Sequence, residues 1–126
     1  MSDIEGPFTI SFGDNTVSTV EDTGERRIQA KIGSDAAVFT LKDGQLESED
    51  WIVTRDSVED RSLLPKAVYF FPKSSGFEPI HKTTAQVEED GSYRFFVGGA
   101  PWVVINDQIR SDLTRQRVQT FAVNKV

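Results

Sequence analysis

Apolar positions along this chain recur with a period of two, in short runs broken by turn residues. Over residues 7–12, Phe8, Ile10 and Phe12 alternate with Thr9 and Ser11, the pattern of a strand with one wet face. Gly13-Asp14-Asn15 reads as a turn, and residues 16–20 as a weaker β-branched run. Thr23-Gly24-Glu25 precedes residues 26–32, where Ile28, Ala30 and Ile32 share a face. Residues 37–41 and 45–48 flank Asp43-Gly44, residues 83–87 and 92–97 flank Asp90-Gly91, and residues 101–105 and 108–113 flank Asn106-Asp107. Each of these turns predicts a hairpin. Residues 51–55 form a short strand, 67–71 are apolar on both faces and so central, and 118–123 close the chain with a last alternation.

No segment sustains the i, i+3, i+4 spacing of a buried helical face; residues 108–117 come nearest and are too polar. The prediction is a single all-β domain over residues 1–126, with 1–6 disordered. Its architecture is expected to be a compact β-barrel or β-sandwich of short antiparallel strands. Leu41, Phe70, Tyr93, Phe95, Val97 and Val104 are expected to face inward.

Composition narrows the function classes. The chain has 126 residues, 37% hydrophobic and 27% charged, enough for one well-formed core. It has no cysteine, which removes disulfides and thiolate chemistry and favours a reducing, cytoplasmic setting. The acidic opening Met1-Ser2-Asp3-Ile4-Glu5-Gly6-Pro7 carries no apolar run, so a signal peptide is not expected. A net charge of −6 argues against nucleic acid or an anionic membrane as partner. Oligomeric state is not legible.

Catalytic chemistry finds little support. His81 is the single histidine, so metal sites built on several imidazoles or on cysteines are excluded. It sits beside Lys82, and no nucleophile elbow accompanies it. The paired acids Glu49-Asp50, Glu59-Asp60 and Glu88-Glu89-Asp90 are neighbours in polar turns, not carboxyls facing each other across a cleft. Gly98-Gly99 precedes Pro101 rather than a lysine and a helix, so it is no phosphate loop. A non-enzymatic binding protein without cofactor or metal is expected. Trp51, Tyr69 and Trp102 could line a carbohydrate or small-ligand site, or could pack in the core. Arg110, Arg115 and Arg117 form a local basic cluster, either an acidic-partner site or a decorated edge strand. A structural protein that associates through its sheet edges is a third reading.

The segment Glu59-Asp60-Arg61-Ser62-Leu63-Leu64-Pro65-Lys66 stands apart. Pro65 fixes its own φ and biases Leu64 away from helix, so an extended, stiff loop feeds the strand at 67–71. Such a loop loses little entropy on binding; equally, Leu63 and Leu64 could plug the end of a β-structure. Candidate cations for recognition by a projecting loop are Arg55, Arg61 and Lys66, and Arg26-Arg27 on an earlier turn.

This segment, with Asp90-Gly91-Ser92-Tyr93-Arg94-Phe95, Gly98-Gly99-Ala100-Pro101 and the hairpin at 105–109, resembles the serine-protease inhibitors of the cospin type from mushrooms. Those are small cysteine-free β-trefoil proteins, and the likeness covers roughly residues 39–113. It implies a trefoil as the alternative fold, although no self-similarity shows at the period of about 42 residues that three repeats would need. It also implies inhibition of trypsin-like serine proteases through residues 55–60. Arg55, with Asp56 and Ser57 beside it, is then the expected primary specificity residue, exposed in the free protein. Arg61 is expected to tie the loop down through Glu59 or Asp60, or through backbone carbonyls, and Lys66 is the second choice for specificity.

Overall fold

The computed structural model describes residues 3–117 and 119–126. Its first strands are β1 (Ile4–Phe12), β2 (Asn15–Val17), β3 (Ile28–Gln29), β4 (Ile32–Gly33), β5 (Phe39–Lys42), β6 (Gln45–Ser48) and β7 (Trp51–Arg55). Then follow β8 (Lys66–Pro72), β9 (Thr83–Val87), β10 (Tyr93–Val97), β11 (Ala100–Ile105), β12 (Gln108–Ser111) and β13 (Ala122–Lys125). Among the described residues the helical content is one 3-10 turn, Lys73–Ser75. The all-β expectation holds. Two boundaries differ from expectation: residues 4–6 belong to β1, with Ile4 buried, rather than to a disordered tail, and the last strand is Ala122–Lys125. Residues 1, 2 and 118 lie outside the described residues.

The strands form one curled antiparallel sheet, not two stacked ones, in the order β4-β2-β1-β5-β6-β7-β8-β12-β11-β10-β9, with β13 on β1 and β3 on β8. Its ends are drawn together. The β1–β13 ladder runs from Phe8↔Lys125 to Ser11↔Ala122, and Tyr93 and Phe121 exchange two backbone hydrogen bonds of 2.8 Å. Thr83 N donates to Gly44 O at 2.8 Å, linking β9 to the β5–β6 turn. Strands β1, β5, β6, β9, β10 and β13 thereby follow one another around a ring.

The pairs β2/β4, β7/β8 and β11/β12 continue from ring strands, β2 pairing with β1, β7 with β6 and β11 with β10. They meet at Ala30, Val68 and Ile109, all fully buried: Ala30 N donates to Val68 O (2.8 Å) and Ile109 N to Ala30 O (2.9 Å). The Gln29 side-chain amide donates to the carbonyls of Val68 and Ile109 at 3.1 and 3.0 Å. These three positions recur roughly 40 residues apart, so the three-unit period is present in space though not in residue identity. The result is a curled antiparallel half-barrel sheet in a compact single domain, with three strand pairs converging on these residues.

The predicted core positions Leu41, Phe70, Phe95 and Val97 are buried, while Tyr93 and Val104 are half-buried against the core. Trp102 is fully buried, 4.9 Å from Phe95 and 5.7 Å from Phe121 between ring centroids. Alternation put these side chains on one face, and curling of the sheet turned that face inward.

Candidate functional site

Residues 56–65 connect β7 to β8, and both roots of this loop are built from buried charge. Arg55 ends β7 in register with Val68. Its guanidinium Nε and NH2 donate to the two Glu59 carboxylate oxygens at 3.1 and 2.7 Å, and NH1 donates to Val97 O at 3.1 Å. A planar fork matches a carboxylate in this two-point way, which is why arginine and not lysine suits the position. The pair fixes the first turn of the loop against the end of β10.

Asp56, with 3% of its side chain exposed, is held from the other side. Arg26 NH1 and NH2 donate to it at 2.7 and 3.0 Å, Arg27 NH1 donates as well, and Val58 N donates to Oδ1 at 3.2 Å. Arg26's hydrogen bond holds the Asp56 carboxyl well below the usual carboxylate range, aided by Val58 N–H and both positive charges and opposed by burial. The two arginines lie over aromatic faces of β8, Arg27 over Tyr69 at 4.1 Å and Arg26 over Phe71 at 5.7 Å.

Beyond these anchors the chain projects. Asp60 Oδ1 accepts Ser62 N at 2.9 Å and Ser62 Oγ at 2.6 Å, closing a tight local turn. Lys66, buried at the start of β8, reaches back: its ammonium donates to Asp60 O and Ser62 Oγ, both at 3.1 Å, and to the Asp60 carboxylate. Lys66's bond, and then Ser62's, hold the Asp60 carboxyl below its ordinary range. Under this arch lies a cavity of about 330 Å³ lined in part by Arg27, Glu59, Leu64, Tyr69 and Arg110. Val58, Leu63 and Leu64 are 77%, 71% and 70% exposed, and Ser57 and Arg61 are exposed too. Arg61 makes no hydrogen bond or ion pair with any described residue.

The structure exchanges the roles expected of the two arginines. Arg55 is not exposed; 7% of its side chain meets solvent, and it is the brace. Arg61, expected to be the brace, is the free cation at the tip. Asp56 and Lys66 are buried and internally bonded, and of the five residues expected at the site Ser57 and Arg61 are exposed. Leu63 and Leu64 plug nothing. Arg26 and Arg27 support the loop, a role that the sequence could not show because Asp56 lies 30 and 29 residues away.

The proposed ligand-lining trio is dispersed. Trp102 belongs to the core, Tyr69 is the platform for Arg27, and Trp51 is half-buried at the far end of β7 beside Pro72. His81 is half-buried, and Thr54 Oγ1 donates to its carbonyl at 3.3 Å. Burial, and then Arg55's charge, push its imidazole below its ordinary pKa, with Glu59 pulling the other way. Among the described residues no cluster of three histidine, aspartate or glutamate side chains could hold a metal ion. Arg110 is tied to Gln108 (2.8 Å), while Arg115 and Arg117 are exposed.

No curated protein and no solved structure matches the chain. The family described as peptidase inhibitor I66, which includes cospin, matches residues 34–125, a stretch that contains the braced loop and most of the ring. The chain belongs to that family, and is a peptidase inhibitor rather than an enzyme.

Proposed function

We propose that the protein inhibits a trypsin-like serine peptidase by presenting the loop 56–65, with Arg61 as the side chain that enters the peptidase's acidic specificity pocket. The observation that carries this is the state of Arg61: exposed, unpaired, and set between Asp60 and Ser62, which are both hydrogen-bonded in place. Of the other cations near the loop, Arg26, Arg27, Arg55 and Lys66 are spent on internal carboxylates, and Arg110 donates to Gln108. A guanidinium that gives up no internal partner enters an acidic pocket without a prior bond to break. Bracing at both roots limits the order that binding must impose. On the C-terminal side Leu63 and Leu64 offer apolar area to the peptidase surface.

Titration of trypsin with the parent and with Arg61→Ala tests this. A central hot-spot residue carries about 2 kcal/mol or more, roughly thirtyfold in affinity. Its removal from an exposed position leaves stability within about 0.5 kcal/mol. A parent that binds more weakly than about micromolar, or an alanine variant that inhibits equally well, would overturn the reading.

A further inference from the structure

A loop that lays an arginine in a trypsin-like pocket also lays the following carbonyl on the peptidase nucleophile, so the bond most exposed to cutting is Arg61–Ser62. We propose that Lys66, with Asp60 and Ser62, forms a clip that holds both sides of this bond, so that the peptidase finds the new ends still in place and rejoins them. The inference rests on the Arg61 reading above and adds the means by which the loop remains an inhibitor instead of becoming a spent substrate.

The contacts straddle the bond. On its N-terminal side the Lys66 ammonium holds the Asp60 carbonyl at 3.1 Å, fixing the peptide plane that leads into Arg61. On its C-terminal side the same ammonium holds Ser62 Oγ at 3.1 Å. The Asp60 carboxylate joins the halves a second time by accepting Ser62 N (2.9 Å) and Ser62 Oγ (2.6 Å). One of these bonds holds the peptide's own nitrogen, Ser62 N, on the Asp60 carboxylate; the others, to Asp60 O and Ser62 Oγ, bypass the Arg61–Ser62 peptide. Lys66 stands on β8 in register with Ser111 of β12, and Arg55 and Asp56 anchor the other root, so neither root depends on an intact tip.

The step balances without any further reactant. The peptidase serine oxygen adds to the Arg61 carbonyl carbon, the C–N bond to Ser62 breaks, and the peptidase's acid–base histidine delivers its proton to the departing Ser62 nitrogen. That amine stays beside the Asp60 carboxylate, and the acyl end stays one residue beyond the Asp60 carbonyl that Lys66 holds. On return, the histidine takes a proton from the nitrogen as it attacks the acyl carbon and passes it to the departing serine oxygen, which restores the peptide bond; a hydrolysed chain enters the same path when the serine attacks its Arg61 carboxyl group and water leaves. Well-oriented partners react with effective molarities that reach about 10⁵–10⁸ M, so a tethered amine competes strongly with water for the acyl group. Lys66 touches no reacting atom; it is a positioning residue.

The test is time-resolved cleavage. Parent, Lys66→Met and Ser62→Ala are each incubated with a small fraction of trypsin and followed by intact mass and by residual inhibition. Parent cut at Arg61–Ser62 and repurified is returned to trypsin. The parent is expected to reach the same ratio of cut to intact chain from either direction. Both variants are expected to bind trypsin more weakly than the parent and, once bound, to be cut about tenfold faster or more, as loss of a charge-assisted hydrogen bond implies. They would not reseal. Ser62 is exposed, so its variant carries the test if Lys66→Met fails to fold. Variants that inhibit and are cut no faster than the parent overturn the clip while leaving Arg61 in its role. A parent that neither inhibits nor is cut after Arg61 overturns both.

Discussion

Arg55→Met isolates the brace, since methionine keeps an unbranched apolar stem and deletes the guanidinium. Three hydrogen bonds disappear: two to Glu59 at 3.1 and 2.7 Å and one to Val97 O at 3.1 Å. The Glu59 carboxylate, with 17% of its side chain exposed, then loses its cation in a poorly hydrated place. Breaking a buried pair from one side costs about 3–5 kcal/mol, and partial access of water to Glu59 puts the loss near the lower end, about 3 kcal/mol. For a chain of this size that is a fall in Tm of about 12 °C, at roughly 4 °C per kcal/mol. Urea unfolding should show a lower midpoint at unchanged slope. The double variant with Glu59→Gln should recover part of the loss, because no unpaired charge is left behind. Inhibition of trypsin should weaken together with stability, in contrast to Arg61→Ala, which should weaken inhibition alone. A stability loss below about 1 kcal/mol in Arg55→Met would refute the placement of this side chain as a buried brace.

Phe95 is fully buried between Trp102 and Phe121, so Phe95→Ala should cost about 3–5 kcal/mol in urea unfolding; a loss under about 1 kcal/mol would mean that the face is not in the core. Gly98 has φ +58°, and a Cβ there would lie 2.8 Å from His81 Nδ1 and 3.3 Å from Arg55 NH1. Gly98→Ala should therefore destabilise by about 1–3 kcal/mol, read from the melting temperature, and unchanged melting would count against this packing. The His81 imidazole titrates below its unfolded value of about 6.5, so the unfolded chain takes the proton first. Its contribution to stability is full above that value and is lost as pH falls toward the lowered folded pKa. The urea midpoint should drop between about pH 7 and 5, and His81→Gln should flatten that drop.

What was legible in the sequence is what local physics fixes. Asp43-Gly44, Asp90-Gly91 and Asn106-Asp107 announce hairpins because these residues tolerate positive φ, and Asp43, Gly44, Gly91, Asn106 and Asp107 all adopt it. The alternation of Phe8 and Ile10 marks an inward face, and Pro65 marks a stiff approach to β8. The two-residue turn at Gly98-Gly99, joining Val97 to Ala100, carries the same signal.

Which of the cations in and beside the loop 56–65 does what was decided by partners far along the chain. Arg55 is buried because β10 delivers the Val97 carbonyl from 42 residues away, and Asp56 because Arg26 arrives from 30 residues before it. In sequence Arg61 looks no freer than Arg55, since both lie near Glu59. Only the curled sheet places Arg55 at a strand end facing a second strand and leaves Arg61 on the projecting tip. The ring and the meeting of Ala30, Val68 and Ile109 belong to the same class of fact. Strand pairing over such separations is set by backbone hydrogen bonds and burial, which any β-prone residue can satisfy, so residue identities need not repeat where the geometry does.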